Sequence, residues 1–325
     1  MTTHALVIAS YGRQFLVRTD THGGGGSSGG GGSSGGGGTL AAVTRGKRTD
    51  PAVGDRVAIR VLGADQAVIE RIEPRRNELK RSDAFRTKWL AANVDQLGIV
   101  IAADPPFSEE ILLRILMASE EAGIPAALLV NKSDLTEARA RIEPRIACYR
   151  ALGYRVFDLS AHDAAATRAL LAPWLSGRTT LLLGQSGMGK STLVNALVPD
   201  ALLRTQTISA ALATGRHTTT FTRLFQVQGE ELAPDTALID SPGFQSFGLE
   251  HLSESQRAHA MPEYRPLLGR CRFHNCSHRA EPGCAIRAAA EAGSVDGFRY
   301  RLFARLVDEY EASARAFSAP ARRPR

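Results

Sequence analysis

The chain has 325 residues, enough for two or three domains, and its 43% hydrophobic and 22% charged residues exclude a collagen, a coiled-coil rod and a wholly disordered chain. Of its 31 glycines, 12 fall in the tract 23–38, so the rest of the chain carries an ordinary glycine content. The net charge is +7, but the distribution says more than the sum: residues 45–90 hold 12 Lys/Arg against 7 Asp/Glu and residues 265–325 hold 12 against 6, around a middle in which acidic residues prevail. Basic ends of this kind suit a polyanionic partner.

Apolar runs such as 97–103 and 126–130 fall far short of the ~20 residues that a membrane span needs. The start, Met1-Thr-Thr-His-Ala, lacks a basic region followed by an apolar block, so a soluble, cytoplasmic protein with no membrane partner is expected.

In chain order, the first seventy residues alternate short strand-like runs with turns: 5–9, 12–18, 40–45, 56–62 and 67–72. Five short strands suit a small barrel over residues 1–75, an OB-fold being the first expectation and an isolated sandwich the alternative. The tract 23–38, GGGGSSGGGGSSGGGG, has no side chains with which to build a core and reads as a flexible enlargement of a hairpin loop.

From about residue 76 strands and helices alternate, which predicts a parallel sheet covered by helices. The expected strands are 96–102, 126–130, 155–159, 179–183 and 236–239. The expected helices are 109–122, 144–152, 168–174 and one from about Lys190. Beyond residue 250 the chain becomes rich in Arg and Cys, then turns helical over 295–316.

Gly184-Gln185-Ser186-Gly187-Met188-Gly189-Lys190-Ser191-Thr192 follows an expected strand and opens an expected helix, the setting in which G-x-x-x-x-G-K-S wraps phosphates. Backbone amides and the helix N-terminus supply favourable field for anions. Lys190 is placed to reach the β- and γ-phosphates, and the Ser191 hydroxyl to ligate Mg²⁺.

Asn131-Lys132-Ser133-Asp134 follows the strand 126–130. A carboxylate at Asp134 accepts from both N1–H and the 2-amino group of guanine, a donor pair that adenine does not offer. Asn131 is expected either to bond the base or to tie neighbouring loops. Ser160-Ala161, after the strand 155–159, is expected to contact the base through the backbone.

Asp240-Ser241-Pro242-Gly243 follows the strand 236–239; Asp240 is suited to hold Mg²⁺ through water and the Gly243 amide to sense a γ-phosphate. Within Gly215-Arg216-His217-Thr218-Thr219-Thr220, a threonine completes a Mg²⁺ shell, Thr219 being preferred to Thr218, and His217 is a candidate for positioning water.

These are the five guanine-nucleotide motifs in rotated order, with Asn131–Asp134 and Ser160-Ala161 ahead of the phosphate loop instead of behind it. They predict a circularly permuted GTPase domain over residues 76–250, in which the segment after Gly243 leads straight into the C-terminal region 251–325. That region carries Cys271-x4-Cys276-x-His278-x5-Cys284. Three thiols and an imidazole suit one tetrahedral structural Zn²⁺ in a mainly helical zinc-binding domain, with His274 as a rival ligand of poorer spacing. Cys148 is expected in the apolar core.

The order of these motifs, with Arg81-Ser-Asp-Ala-Phe-Arg-Thr-Lys88, Ala91-Ala-Asn-Val-Asp95 and Glu281-Pro-Gly-Cys284, resembles the ribosome small-subunit-dependent GTPase A family over nearly the whole chain outside the tract 23–38. The resemblance implies an OB-fold, a permuted GTPase domain and a helical zinc domain. It further implies a cytoplasmic monomer that binds GTP and GDP with Mg²⁺, the 30S subunit and 16S rRNA, hydrolyses GTP faster on the subunit, and helps to release other small-subunit assembly factors. Phe244 stands where Ras-like enzymes carry a water-orienting Gln, so slow intrinsic turnover is expected. The alternative is a nucleotide-gated rRNA-binding protein in which hydrolysis only resets binding. An ATP-dependent enzyme is disfavoured by Asp134.

Overall fold

The structure, a computed structural model, describes residues 3–20, 38–45, 50–83, 86–199, 201 and 221–318, without the side chains of 316–318. Most of the tract 23–38 and the segment that holds His217 and Thr219 lie outside the described residues.

Strands β1 (Thr3–Tyr11), β2 (Gln14–Thr19), β3 (Thr39–Thr44), β4 (Arg56–Val61) and β5 (Gln66–Ile72) form the N-terminal barrel. Their order is β1-β2-β3-β5-β4, and β4 pairs back onto β1. Only the β3–β5 contact is parallel. This closed five-stranded arrangement is the OB barrel that the strand spacing predicts. Alternate residues point inward, so Ala5, Val7, Val17, Val57, Ile59 and Ile69 make a core of their own.

A hairpin of β6 (Glu78–Ser82) and β7 (Thr87–Ala92) follows. Sequence periodicity missed it because Glu78, Lys80 and Arg81 in β6 and Lys88 in β7, with a bulge after Leu79, blur the apolar alternation. The next elements are β8 (Gln96–Ala102), α1 (Glu109–Glu121), β9 (Ala126–Asn131), α2 (Thr136–Ala151), β10 (Arg155–Asp158), α3 (Ala164–Leu175), β11 (Thr179–Gly184), α4 (Lys190–Leu197), β12 (Thr222–Gln226) and β13 (Ala237–Asp240). Their sheet order is β10-β9-β8-β11-β13-β12, parallel throughout except for β12. Every residue of β8 is buried, as befits a strand with helices on both faces.

One face packs Leu97, Ile99 and Ile101 against Leu112 and Leu116 of α1; the other packs Val100 and Leu182 against Leu193 of α4 and Trp174 of α3. The barrel joins this sheet edge to edge, where Ala9 and Ser10 of β1 pair with Arg223 and Thr222 of β12.

The C-terminal region consists of α5 (Glu254–His259), a 3₁₀ helix (Pro262–Leu267), α6 (Ala285–Glu291) and α7 (Gly297–Ser318). Ser253 caps α5 in a capping box with Gln256. Phe303, Leu306 and Val307 of α7 enter the same core as α1, so these helices are packed onto the parallel sheet and do not form a separate core.

Two expectations are corrected. Helix α2 begins at Thr136, eight residues before Pro144, because its polar first turns bury little and give no apolar period. Cys148 is half-buried, not core. Its Sγ lies 3.4 Å from the Pro144 carbonyl and 3.7 Å from an Asp296 carboxylate oxygen, in a charged contact between α2 and the start of α7.

Candidate functional site

Because β8, β9, β10, β11 and β13 run parallel, the loops after them open on one edge of the sheet, where ligands of such folds bind. That edge gathers Asn131–Asp134, Ser160-Ala161, Gly184–Thr192 and Asp240–Gly243, although chain order scatters them.

The phosphate-loop segment turns on Gly187 and Gly189, with φ of 87° and 81°. At Gly189 a side chain would also collide, since an added Cβ falls 2.3 Å from the Asn131 amide nitrogen. Gln185 accepts from the Ser108 backbone N–H at 2.6 Å. Ser186 and Ser191 are exposed, Thr192 half-exposed and Met188 buried beneath the loop.

Asn131 is buried and ties loops together: its amide donates to the Met188 carbonyl at 2.9 Å, and its oxygen accepts from the Ala161 N–H at 2.9 Å. Of the two expectations for Asn131, this geometry is the tie. Lys132 lies along the same loop, its Nζ donating to the carbonyls of Asp104 at 2.9 Å and Gly187 at 3.1 Å. The Ser133 N–H donates to Leu159 O at 3.1 Å. Asp134 is exposed, and a hydrogen bond from the Ser160 side chain holds its carboxyl below the ordinary carboxylate range.

Lys190 and Asp240 form an ion pair in which both side chains are buried. Burial pushes the Asp240 carboxyl up, against the opposing pull of the Lys190 ammonium. Gly243 is exposed beside the phosphate loop; a Cβ there would lie 3.3 Å from the Ser186 nitrogen. Phe244 turns inward and is only 3% exposed, with its ring edge-on to Phe247 at 5.6 Å and its N–H donating to Gly184 O at 3.2 Å. The Arg81 guanidinium stacks on that ring at 5.1 Å and donates to Ser246 O at 3.2 Å, a link between hairpin and loop that the sequence did not signal. His217 and Thr219 fall outside the described residues.

The ligand atoms of Cys271, Cys276, His278 and Cys284 all lie within 4.8 Å of one another, so the cluster can hold a metal ion. His274 is exposed and outside it. Three soft thiol sulfurs and one imidazole nitrogen fit tetrahedral zinc in donor type and number. Glu281 organises the loop by accepting from the Ser277 N–H and hydroxyl, both at 2.6 Å, and from the Arg279 N–H at 3.1 Å. Partial burial opposes its ionisation, yet these donors bring its carboxyl down to about 2.

The strand order, with the phosphate loop leaving the middle of the sheet after the Asn131–Asp134 strand has already passed, defines a circularly permuted P-loop GTPase. The chain belongs to the RsgA GTPase family, whose model matches residues 72–250, and is thus an enzyme of the GTP-hydrolysing class. It is 49% identical over 305 residues to the Small ribosomal subunit biogenesis GTPase RsgA of Paraburkholderia phytofirmans, a match covering 94% of this chain and 92% of that protein. Its identity to the protein of the same name from Burkholderia pseudomallei is 51% over 304 residues, covering 93% and 91%. The crystal structure of YloQ, a circularly permuted GTPase, aligns with a TM-score of 0.65 at 25% identity, over 100% of this chain and 97% of that one. YjeQ from Thermotoga maritima shares the fold, with a TM-score of 0.68 at 23% identity over 95% and 99%.

Proposed function

We propose that this GTPase acts in biogenesis of the small ribosomal subunit, binding the 30S particle and 16S rRNA late in maturation and hydrolysing GTP faster when bound there. The names of its high-identity relatives support the place of action. The observation that carries subunit-dependent turnover is Phe244: the side chain after Gly243 is apolar and buried, so this position offers no group to orient water. The subunit orders the switch and completes the site.

In this reading Asp134 selects guanine, and Lys132 and Asn131 hold the base loop against the phosphate loop. The amides of Gly184–Thr192 and the Lys190 ammonium stabilise charge on the transferring phosphoryl group, and the Gly243 amide senses it. Ser191, Asp240 and Thr219 offer the hard oxygens that suit Mg²⁺, which supplies charge neutralisation at the phosphates. Zinc on Cys271, Cys276, His278 and Cys284 holds the C-terminal loop in shape. The three units are residues 1–75, 76–250 and 251–325, the first and last facing rRNA, in a cytoplasmic monomer that promotes release of other assembly factors. Among the described residues no helix is long and apolar enough to cross a membrane.

GTP turnover with and without purified 30S subunits, with 50S as control, tests the proposal. Strong stimulation by 30S alone is expected; equal slow rates in all three samples overturn it and leave nucleotide-gated RNA binding.

A further inference from the structure

Where the barrel meets the hairpin and β12, the structure encloses a cavity of about 290 Å³ at the lower bound of small-molecule sites, roughly 300–1,000 Å³. Its walls are unusually aromatic for a protein with only 6% Phe, Trp and Tyr. Tyr11 and Phe15 come from the barrel, Trp89 from β7 and Phe221 from the residue before β12. Tyr11 and Phe221 pack ring against ring at 4.8 Å and 54°, and both remain partly exposed, as does Trp89. The Trp89 indole is held in place by its Nε1–H, which donates to Glu78 at 3.0 Å, and by the Arg75 guanidinium over its ring.

The rim is cationic. Arg86 and Lys88 line the cavity, are exposed, and form no ion pair among the described residues. Both also line a second cleft of about 370 Å³ that runs past Asp83 to Arg81 and Ser246. Partial burial, then the charges of Arg81 and Arg86, push the Lys88 ammonium below the ordinary lysine range. Two carboxylates share the seam, Asp50 in the first cavity and Asp83 in the second cleft, where it accepts from the Arg86 backbone N–H at 2.9 Å, so three cations stand against two anions and positive charge prevails.

We propose that this seam binds single-stranded RNA, with one unstacked base entering the cavity against Tyr11 and Trp89 and the adjoining phosphates lying along Lys88, Arg86 and Arg81. Aromatic faces with cations beside them are how proteins hold single strands, because every base has a π-face. A lone nucleotide fills the first cleft and leaves the second unused; a strand uses both. The inference rests on the RNA-facing reading of the barrel and adds to it a base pocket shared by two units.

Trp89 reports occupancy by its fluorescence in the full-length protein. A ten-residue uridine RNA is expected to quench it, Tyr11→Leu to weaken binding about tenfold through lost stacking, and Lys88→Gln to weaken it and reduce the salt slope by about 0.7. UMP alone is expected to bind far more weakly than the oligomer. Unchanged affinity in Tyr11→Leu, or equal quenching by a ten-base-pair RNA duplex or by inorganic polyphosphate, overturns the base pocket; equal binding of UMP and oligomer overturns the strand. If Tyr11→Leu loosens the seam, quenching of the unaltered protein still decides between strand and duplex. Failure of 30S subunits to stimulate GTP turnover sinks the biogenesis reading and leaves this oligomer result standing by itself.

Discussion

The phenol oxygen of Tyr310, on α7, accepts a hydrogen bond at 2.6 Å from the backbone N–H of Leu249, in the segment that leads away from Asp240 and Gly243. Arg114 of α1 donates to the same oxygen at 3.1 Å, and Arg257 of α5 stacks over the ring at 3.6 Å. One side chain thereby fastens the loop downstream of the nucleotide edge to the C-terminal helix. Circular permutation makes this possible, because the chain runs from Gly243 directly into these helices.

Tyr310→Phe leaves the Leu249 N–H buried without its acceptor. We expect a loss of about 1–3 kcal/mol in unfolding free energy, read by urea denaturation, and faster hydrogen exchange at Leu249. Unchanged exchange there means that the phenol does not hold the loop.

Asp134→Asn replaces a charged acceptor with an amide that presents one acceptor and one donor. Preference for GTP over ATP should fall by about 10–100-fold, the worth of a hydrogen bond to a charged group, as measured by competition binding. Because Asp134 is exposed, thermal stability should stay the same.

Metal removal should be felt locally first. The loop from Leu268 to Cys284 contains no helix or strand, and Cys284 itself caps α6 by accepting from the Arg287 N–H at 3.4 Å. Cys284→Ser or a strong chelator should release about one equivalent of metal and lower the apparent Tm by about 5–10 °C. Metal analysis that finds no ion in the purified protein contradicts a zinc-held loop.

His251 sets a pH dependence. Burial, and then the positive charges of Lys80 and Arg257, bring its imidazole down to about 4. The Ser82 hydroxyl accepts from the His251 backbone N–H at 2.9 Å and shares a hydrogen bond of 2.6 Å with the ring Nδ1, which fixes the imidazole in its half-buried place. Between about pH 4 and the ordinary histidine value near 6.5 the unfolded chain takes up a proton that the fold rejects. Stability therefore rises with pH through this window and levels off above it. His251→Gln should flatten the slope of the urea midpoint between pH 4.5 and 6.5 relative to the unaltered protein; an identical slope rules His251 out as the source.

Arg299 is 1% exposed and pairs with Glu263 at 2.6 Å. Glu263→Gln strands that charge and should cost about 3–5 kcal/mol, whereas Arg299→Met with Glu263→Leu should recover most of the loss. A double variant no better than the single one argues against charge burial as the cause.

Legibility followed the range of the interactions. Lys190, Asp240, Asn131 and Asp134 were visible because each sits at a fixed offset from a strand end, and the metal cluster because its ligands lie within fourteen residues of one another. Tyr310 on Leu249, Arg81 on Phe244 and Arg299 on Glu263 were not, since each joins residues far apart in the chain and only tertiary packing brings them together. The hairpin β6–β7 stayed hidden for a different reason: charged residues such as Lys80, Arg81 and Lys88 blur the alternation that marks a half-buried strand.

The fusion of barrel and parallel sheet through β1 and β12 has a consequence for self-association. A closed barrel has no rim of unpaired strand, and β1 pairs with the first two residues of β12, Thr222 and Arg223, on the outer side of the parallel sheet. Among the described residues, what remains of the large sheet's edges is the last three residues of β12 and, on the opposite side, β10, four residues long, with exposed Arg155 and Asp158 at its ends and Arg139 and Arg150 clasping Asp158. So short and charged a border gives a second chain almost no ladder to extend, and the eleven strands together offer less footing for fibre growth than either sheet would alone.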